Sequence, residues 1–221
     1  GLSRNFFVIS LNPDLSNPRV TASQSNQEDL QKVIFNRKDE YFALGNQYLN
    51  STADTQLFIA KLNETGNIFD LAFIGSPSLI EVMTDAVSPV ESTIYLVGSV
   101  REGLNATSSI ILKKVVDMRE QWSRTISDKG DLEGKAIAVK ANGDLVIVGD
   151  KSFGNDKNII LYLMDSEGNI EDTREYGSTG DQVAEDVLVS GQNLVILGRN
   201  VDQANSMISI IKTDENGNIW E

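Results

Sequence analysis

The chain is a succession of short apolar runs parted by polar turns, and no stretch keeps the 3.6-residue period of an amphipathic helix. Ala-Ile-Ala-Val at 136–139 and Leu-Val-Ile-Val at 145–148 are too short and too β-branched for helices, so each predicts a buried strand. Asn142-Gly143 lies between them. Asn-Gly flanked by such runs signals a hairpin, because both central residues of the tight turn need positive φ. A polar link then leads to NIILYLM and NIEDTREY, joined across Ser166-Glu167-Gly168-Asn169. Gly134–Tyr176 therefore predicts four consecutive antiparallel strands.

The same phrase recurs. A glycine closes an apolar strand at Gly45 (YFALG), Gly98 (YLVG), Gly149 (LVIVG) and Gly198 (LVILG), at intervals of 53, 51 and 49 residues. A second landmark, a strand ending in a Gly-Asn-Ile turn, places glycines at Gly66, Gly168 and Gly217, spaced by 102 and 49. The copy missing from that series carries Asp117-Met118-Arg119 in place of the turn glycine. Two independent landmarks with one period define a repeat of roughly fifty residues holding four strands, which is the signature of a propeller blade. A sheet of this kind has two faces to bury, and stacking blades about an axis buries both.

The expected fold is thus all-β, a β-propeller of four-stranded antiparallel blades in one domain spanning 1–221. Residues 1–22 read as a half blade, 23–75, 76–127 and 128–177 as blades, and 178–221 as an incomplete blade. That layout is four to five blades, or a piece of a larger propeller. YGSTGDQVAEDVLV and KAIAVKANGDLVIVG carry a resemblance to the bacterial seven-bladed β-propeller repeat family, whose units run through a Gly-Asn turn, Tyr-Gly-Gly, an Ala-x-Asp-Ile-Ala-Val strand and an Asn-Gly hairpin. The resemblance implies the fold, and a bacterial secreted or cell-envelope setting. Thr213-x-Glu215-x-Gly217-x-Ile219-Trp220 also resembles the Asp-box of sialidase-type propellers, with Glu215 where that box has its aspartate. The box is structural, so it implies fold and not chemistry.

Composition narrows the chemistry. The formal net charge is −13, from 32 acidic and 19 basic residues, a field that repels nucleic-acid phosphates and anionic membrane surfaces. Histidine and cysteine are both absent, which removes Ser-His-Asp and Cys-His nucleophiles and zinc sites built on those ligands. No apolar run approaches the ~20 residues of a membrane-spanning helix. Catalysis, if present, would rest on carboxylates, Tyr, Lys, Arg or an oxygen-ligated metal.

Two sets of residues are candidates for function. Counting back 12 or 13 residues from the four landmark glycines gives Lys32, Asp85, Ala136 and Asp186, with neighbours Gln31, Thr84, Lys135 and Glu185. In a propeller these positions ring the channel mouth. Lys32, Asp85, Lys135, Glu185 and Asp186 are therefore the expected ligand-binding residues, for a cation, a sugar or a polar protein partner. The bland alternative is a solvated, paired ring. Asp214, Asn216 and Asn218 place oxygen ligands around a glycine as a calcium loop does, but a hairpin that uses Gly for its left-handed position explains them as well. Calcium is the one cofactor left open. Trp122, Trp220 and Phe69 follow the same turn in different copies and read as core between blades. The sequence favours a non-enzymatic scaffold or binding module. A glycosidase or lyase using Asp85 and Asp186, and a calcium-stabilised adhesion module, are the alternatives. Uncovered sheet edges would add self-association if the chain is a fragment.

Overall fold

The computed structural model describes residues 7–10, 14, 16–22, 28–36, 40–49, 55–76, 78–154, 156–178, 180–202 and 205–220, and among these it holds seventeen strands and no helix. A two-stranded ribbon, β1 (Phe7–Ser10) and β2 (Arg19–Ala22), comes first. Four antiparallel units follow. The first is β3 (Glu28–Phe35), β4 (Tyr41–Tyr48), β5 (Thr55–Leu62) and β6 (Ile68–Ile74). The second is β7 (Ile80–Val90), β8 (Thr93–Arg101), β9 (Ser109–Val116) and β10 (Arg119–Ile126). The third is β11 (Asp131–Val139), β12 (Leu145–Phe153), β13 (Asp156–Met164) and β14 (Ile170–Tyr176). The last is β15 (Asp181–Ser190), β16 (Asn193–Asp202) and β17 (Asn205–Asp214), with a single bridge from Thr213 to Ile219 beyond it. One parallel bridge, Thr55 to Ile80, links the first unit to the second.

The landmark glycines have a steric cause. Gly45, Gly98, Gly149 and Gly198 lie opposite Leu30, Met83, Gly134 and Ala184, where the first strand of each unit carries a β-bulge. The bulged residues are Gln31, Thr84, Lys135 and Glu185, and pairing resumes at Lys32, Asp85, Ala136 and Asp186. A Cβ added to the four glycines would lie 2.0 Å from the Asp29 carbonyl oxygen, 2.0 Å from that of Val82, 2.4 Å from that of Glu133 and 2.7 Å from that of Val183. Only glycine lets the bulged strand press this close.

The outer hairpins differ in one copy. Gly66, Gly168 and Gly217 take φ of 80°, 79° and 78°, the left-handed turn position. The second unit closes instead through Asp117 and Met118 at φ 49° and 63°, a two-residue turn with both centres left-handed. The turn glycine is absent there because the loop is shorter.

The units stack face to face. Phe42, Leu44, Leu57 and Ile59 of the first sheet meet Ala86, Ile94 and Leu96 of the second. Tyr95, Val97, Ile110 and Leu112 meet Ile137, Leu145, Ile147 and Ile160 of the third. Val146, Val148, Ile159 and Leu161 meet Ala184, Val187, Leu194 and Ile196 of the last. The β1–β2 ribbon lays Val8 on the remaining face of the first sheet. First strands β3, β7, β11 and β15 approach one another closely from sheet to sheet and the fourth strands scarcely do, so the stack fans outward.

Burial follows position in the stack rather than residue type. Ile59, Leu112 and Leu161 occupy one repeat position at 0 % exposure, whereas Ile210 at the same position of the last sheet is 69 % exposed. Leu112→Ala and Leu161→Ala are each expected to lower stability by about 2–5 kcal/mol. Ile210→Ala should stay within about 0.5 kcal/mol of the parent, with urea unfolding as the measurement.

Candidate functional site

The bulged end of the first strands is where the chain gathers its buried charge. Two repeat positions supply the polar groups, the bulge region itself and the residue after each landmark glycine. At the second position Asn46 Oδ1 accepts a hydrogen bond from the Met83 amide (2.8 Å), and its Nδ2 donates to the Met83 carbonyl (3.1 Å). Asp150 Oδ1, two repeats later, accepts from the Ala184 amide at 2.7 Å. Met83 and Ala184 both belong to the first strand of the following sheet, so these side chains staple neighbouring sheets through backbone groups. Ser99 stands at this position in the second unit, and the strand before it takes over. Thr84 Oγ1 donates to the Gly134 carbonyl at 2.8 Å, and Asp85 Oδ2 accepts from the Ile137 amide at 3.1 Å.

The sequence-predicted residues fall into this frame unevenly. Lys32 and Asp85 come together, Nζ to Oδ1 at 2.7 Å, and Asp85 is buried. Lys135 Nζ lies 2.9 Å from Glu133 and 3.4 Å from Asp150. Glu185 pairs with Arg199, and Asp186 is exposed with Oδ1 accepting from the Val187 amide at 2.8 Å. Counting back from the glycines missed Asp150, Glu133, Arg101 and Lys157, which complete the cluster. Asp150 had a sequence signal, since it directly follows Gly149 as Asn46 follows Gly45. The other three had none.

Burial pushes the Asp150 carboxyl up, and the Ala184 amide together with Lys135 and Lys157 only partly reverses this, leaving it above the ordinary aspartate range. Burial also pushes Glu133 up, but its hydrogen bond to Lys135 and the charges of Lys135, Lys157 and Arg101 outweigh it and hold that carboxyl below its usual value. Burial works against the Lys135 ammonium, yet Glu133 and Asp150 raise it overall. Beside this cluster a groove of about 380 Å³ runs between the second and third sheets, with Val82 and Leu104 as apolar lining and Thr84, Arg101, Glu133 and Lys135 as polar lining.

Elsewhere the structure gives local work to the remaining candidates. Asp214 Oδ1 accepts from the Asn216 and Asn218 amides (2.9 and 2.8 Å), and the Asn218 side chain donates to Oδ2 at 2.9 Å. Asp165 and Asn63 lock their turns in the same way. Among the described residues no group of three or more His, Cys, Asp or Glu is arranged to hold a metal ion. Trp122 packs in the core between the second and third sheets, against Tyr95. Phe69 and Trp220 are 60 % exposed, so the expected core role holds for Trp122 alone. A register shift explains the difference for Phe69: it is the bulged residue of β6, whereas in β10 the bulged residue is Gln121, and Trp122 answers to Asp70. Lys113 is buried against Glu81 at 3.3 Å and Glu120 at 2.9 Å, an ion-pair group inside the stack that the apolar reading of β9 did not foresee.

No family model matches the chain, and no curated protein matches it. Solved structures do. A neuraminidase-like protein from A/bat/Guatemala/164/2009 superposes with a TM-score of 0.58 at 12 % identity over 87 % of this chain and 55 % of that one. A puromycin-hydrolyzing peptidase from Mycobacterium tuberculosis gives 0.52 at 12 % identity, over 89 % of this chain and 29 % of that one. A glycosyl hydrolase from Bacteroides ovatus gives 0.42 at 10 % identity over 85 % and 65 %, too distant to carry an argument. The chain thus spans about half the length of the neuraminidase-like structure. At these identities the likeness concerns the fold alone, and it is consistent with a propeller-type arrangement.

The staple at Asp150 makes a pH-dependent prediction. Its folded pKa lies above the unfolded value, so its contribution favours the fold in acid and is lost as pH rises through the folded value. Glu133 has the opposite sign, its contribution present above the unfolded value and lost as pH falls through the folded one. Asp150→Asn keeps an acceptor for the Ala184 amide, as Asn46 does for Met83, so it should fold normally and gain stability relative to the parent as pH rises from about 4 to 7. Asp150→Ala leaves that amide unpaired and should cost about 1–3 kcal/mol at pH 7 by urea unfolding.

Proposed function

We propose that this chain forms part of a β-propeller and acts as a non-enzymatic binding module for a carbohydrate or protein partner. The fanned stack of four-stranded units, first strands close and fourth strands apart, supports the propeller arrangement, with the units of roughly fifty residues serving as blades. The observation that carries the non-catalytic reading is the use made of the buried aspartates Asp85 and Asp150. Asp85 is held by Lys32 and the Ile137 amide, and Asp150 by the Ala184 amide, Lys135 and Lys157. A glycosidase needs two carboxyls facing the substrate, about 5 Å apart if retaining and about 6.5–9.5 Å if inverting. Here Asp85 and Asp150 serve as bonds between sheets, and the buried Glu28 and Glu81 are engaged by Gln47 and Lys113 of their own sheets.

The ligand-facing feature is the groove of about 380 Å³ bordered by Arg101, Glu133 and Lys135, whose apolar walls and charged rim suit a polar partner with an apolar flank. An envelope or secreted setting agrees with this reading. A panel of chromogenic α- and β-glycosides, sialosides included, should give no turnover above buffer. On an array of neutral and acidic oligosaccharides and peptides, retained ligands should be lost with Arg101→Ala. Turnover that Asp85→Asn abolishes would overturn the reading in favour of a glycosidase.

A further inference from the structure

The last sheet ends in a face with the same residues that its predecessors bury. The outgoing positions of the second strand are Phe42 and Leu44, Tyr95 and Val97, Val146 and Val148, then Val195 and Leu197. Leu44, Val97 and Val148 are at most 1 % exposed, and Leu197 is 40 % exposed. On the third strand Leu57, Ile110 and Ile159 are at most 1 % exposed, and Ile208, their counterpart, is 78 % exposed. Ile210 repeats the contrast described above. Two isoleucines in adjacent outward positions of one strand are not needed by a solvated surface.

Polar groups complete the match. Asp186 resumes its ladder after the bulge as Asp85 does, and Asp85 gives its carboxylate to the Ile137 amide of the following sheet. Among the described residues, Asp186 has only the amide next to it in sequence. Arg199 follows its landmark glycine as Asn46 and Asp150 do, and those two clamp the following sheet, whereas Arg199 turns to the exposed Glu185.

We propose that the outgoing face of β15–β17 is a docking surface for a fifth sheet of this same repeat, gripped by Leu197, Ile208 and Ile210 and stapled through Asp186 and Arg199. The interface is continuous with the three already made inside the chain. A second copy of the chain fits it poorly, because among the described residues its incoming end presents the two-stranded ribbon β1–β2, with no first strand to meet Asp186 and Arg199. The inference rests on the stack itself and not on any ligand of the groove.

The test is a chain extended in register. Thr213 bridges Ile219 as Met164 pairs with Ile170, so a duplicate of residues 173–221 appended after Glu221 continues the repeat. By hydrogen exchange and side-chain NMR, the extended chain should slow exchange in β17 by about 100-fold or more and shift the Ile208 and Ile210 methyl signals to buried environments. Ile208→Lys with Ile210→Lys should cancel the slowed β17 exchange in the extended chain while leaving the unextended chain folded and its melting temperature unchanged. Unaltered β17 exchange and methyl signals beside a folded appended sheet would overturn the proposal. An unextended chain that dimerises by light scattering, with the double lysine variant restoring the monomer, would overturn it in favour of a second copy as occupant. If the appended sheet does not fold, a lysine variant that unfolds the unextended chain also counts against it, because the face would then be part of the last sheet's own core.

Discussion

A β-sheet that is apolar on both sides cannot stand alone in water, and this constraint organises the molecule. Val146 and Ile147 are neighbours on β12, point to opposite faces, and are both fully buried, because one meets the sheet after it and the other the sheet before. The strands therefore read as continuous apolar runs. An inner sheet is buried on both faces by its neighbours, whereas on the outgoing face of the last sheet the same repeat positions lie open. Stability in such a stack is a sum of sheets and nearest-neighbour interfaces, so a change in one interface is felt mainly by the two sheets that share it.

Apolar faces alone would slide, since Ile, Leu and Val pack in more than one register. The bulge and the polar staples supply the register. Gly98 admits the Val82 carbonyl to a distance that no Cβ permits, which fixes where the first strand bends. Asn46, Asp85 and Asp150 then bind backbone groups of the following sheet, which fixes its height. An amide or carboxylate buried in this way is costly unless paired, so the stack is held to the one arrangement in which each finds its partner. The same device draws charged residues towards the bulged end, and the groove beside Arg101, Glu133 and Lys135 is a by-product of it.

Much of this was legible in the sequence. Strand length, the Asn142-Gly143 hairpin and the period of the landmark glycines follow from local rules, and the all-β, antiparallel units bear them out. The bulge was half legible: counting back from the glycines reached Lys32, Asp85 and Asp186, although nothing announced that Gln31, Thr84, Lys135 and Glu185 leave the ladder. Asp150 stood beside a landmark and went unread, because a lone aspartate after a strand glycine looks like an ordinary turn residue. The Lys113–Glu81 pair was out of reach, since its partners lie 32 residues apart on β7 and β9 and meet only once β8 has paired with both. The shift that sets Trp122 opposite Asp70 and not Phe69 is a one-residue matter of register, which periodicity does not resolve.

Native-state hydrogen exchange at the Met83, Ile137 and Ala184 amides tests the central claim most directly, because these three donors point at side chains of the preceding sheet and not along their own ladder. If sheets are stapled as described, all three exchange only through global unfolding, and Asn46→Ala or Asp150→Ala selectively frees Met83 or Ala184. Rapid exchange of these amides in the parent chain, at the rate of exposed turns, would contradict the account.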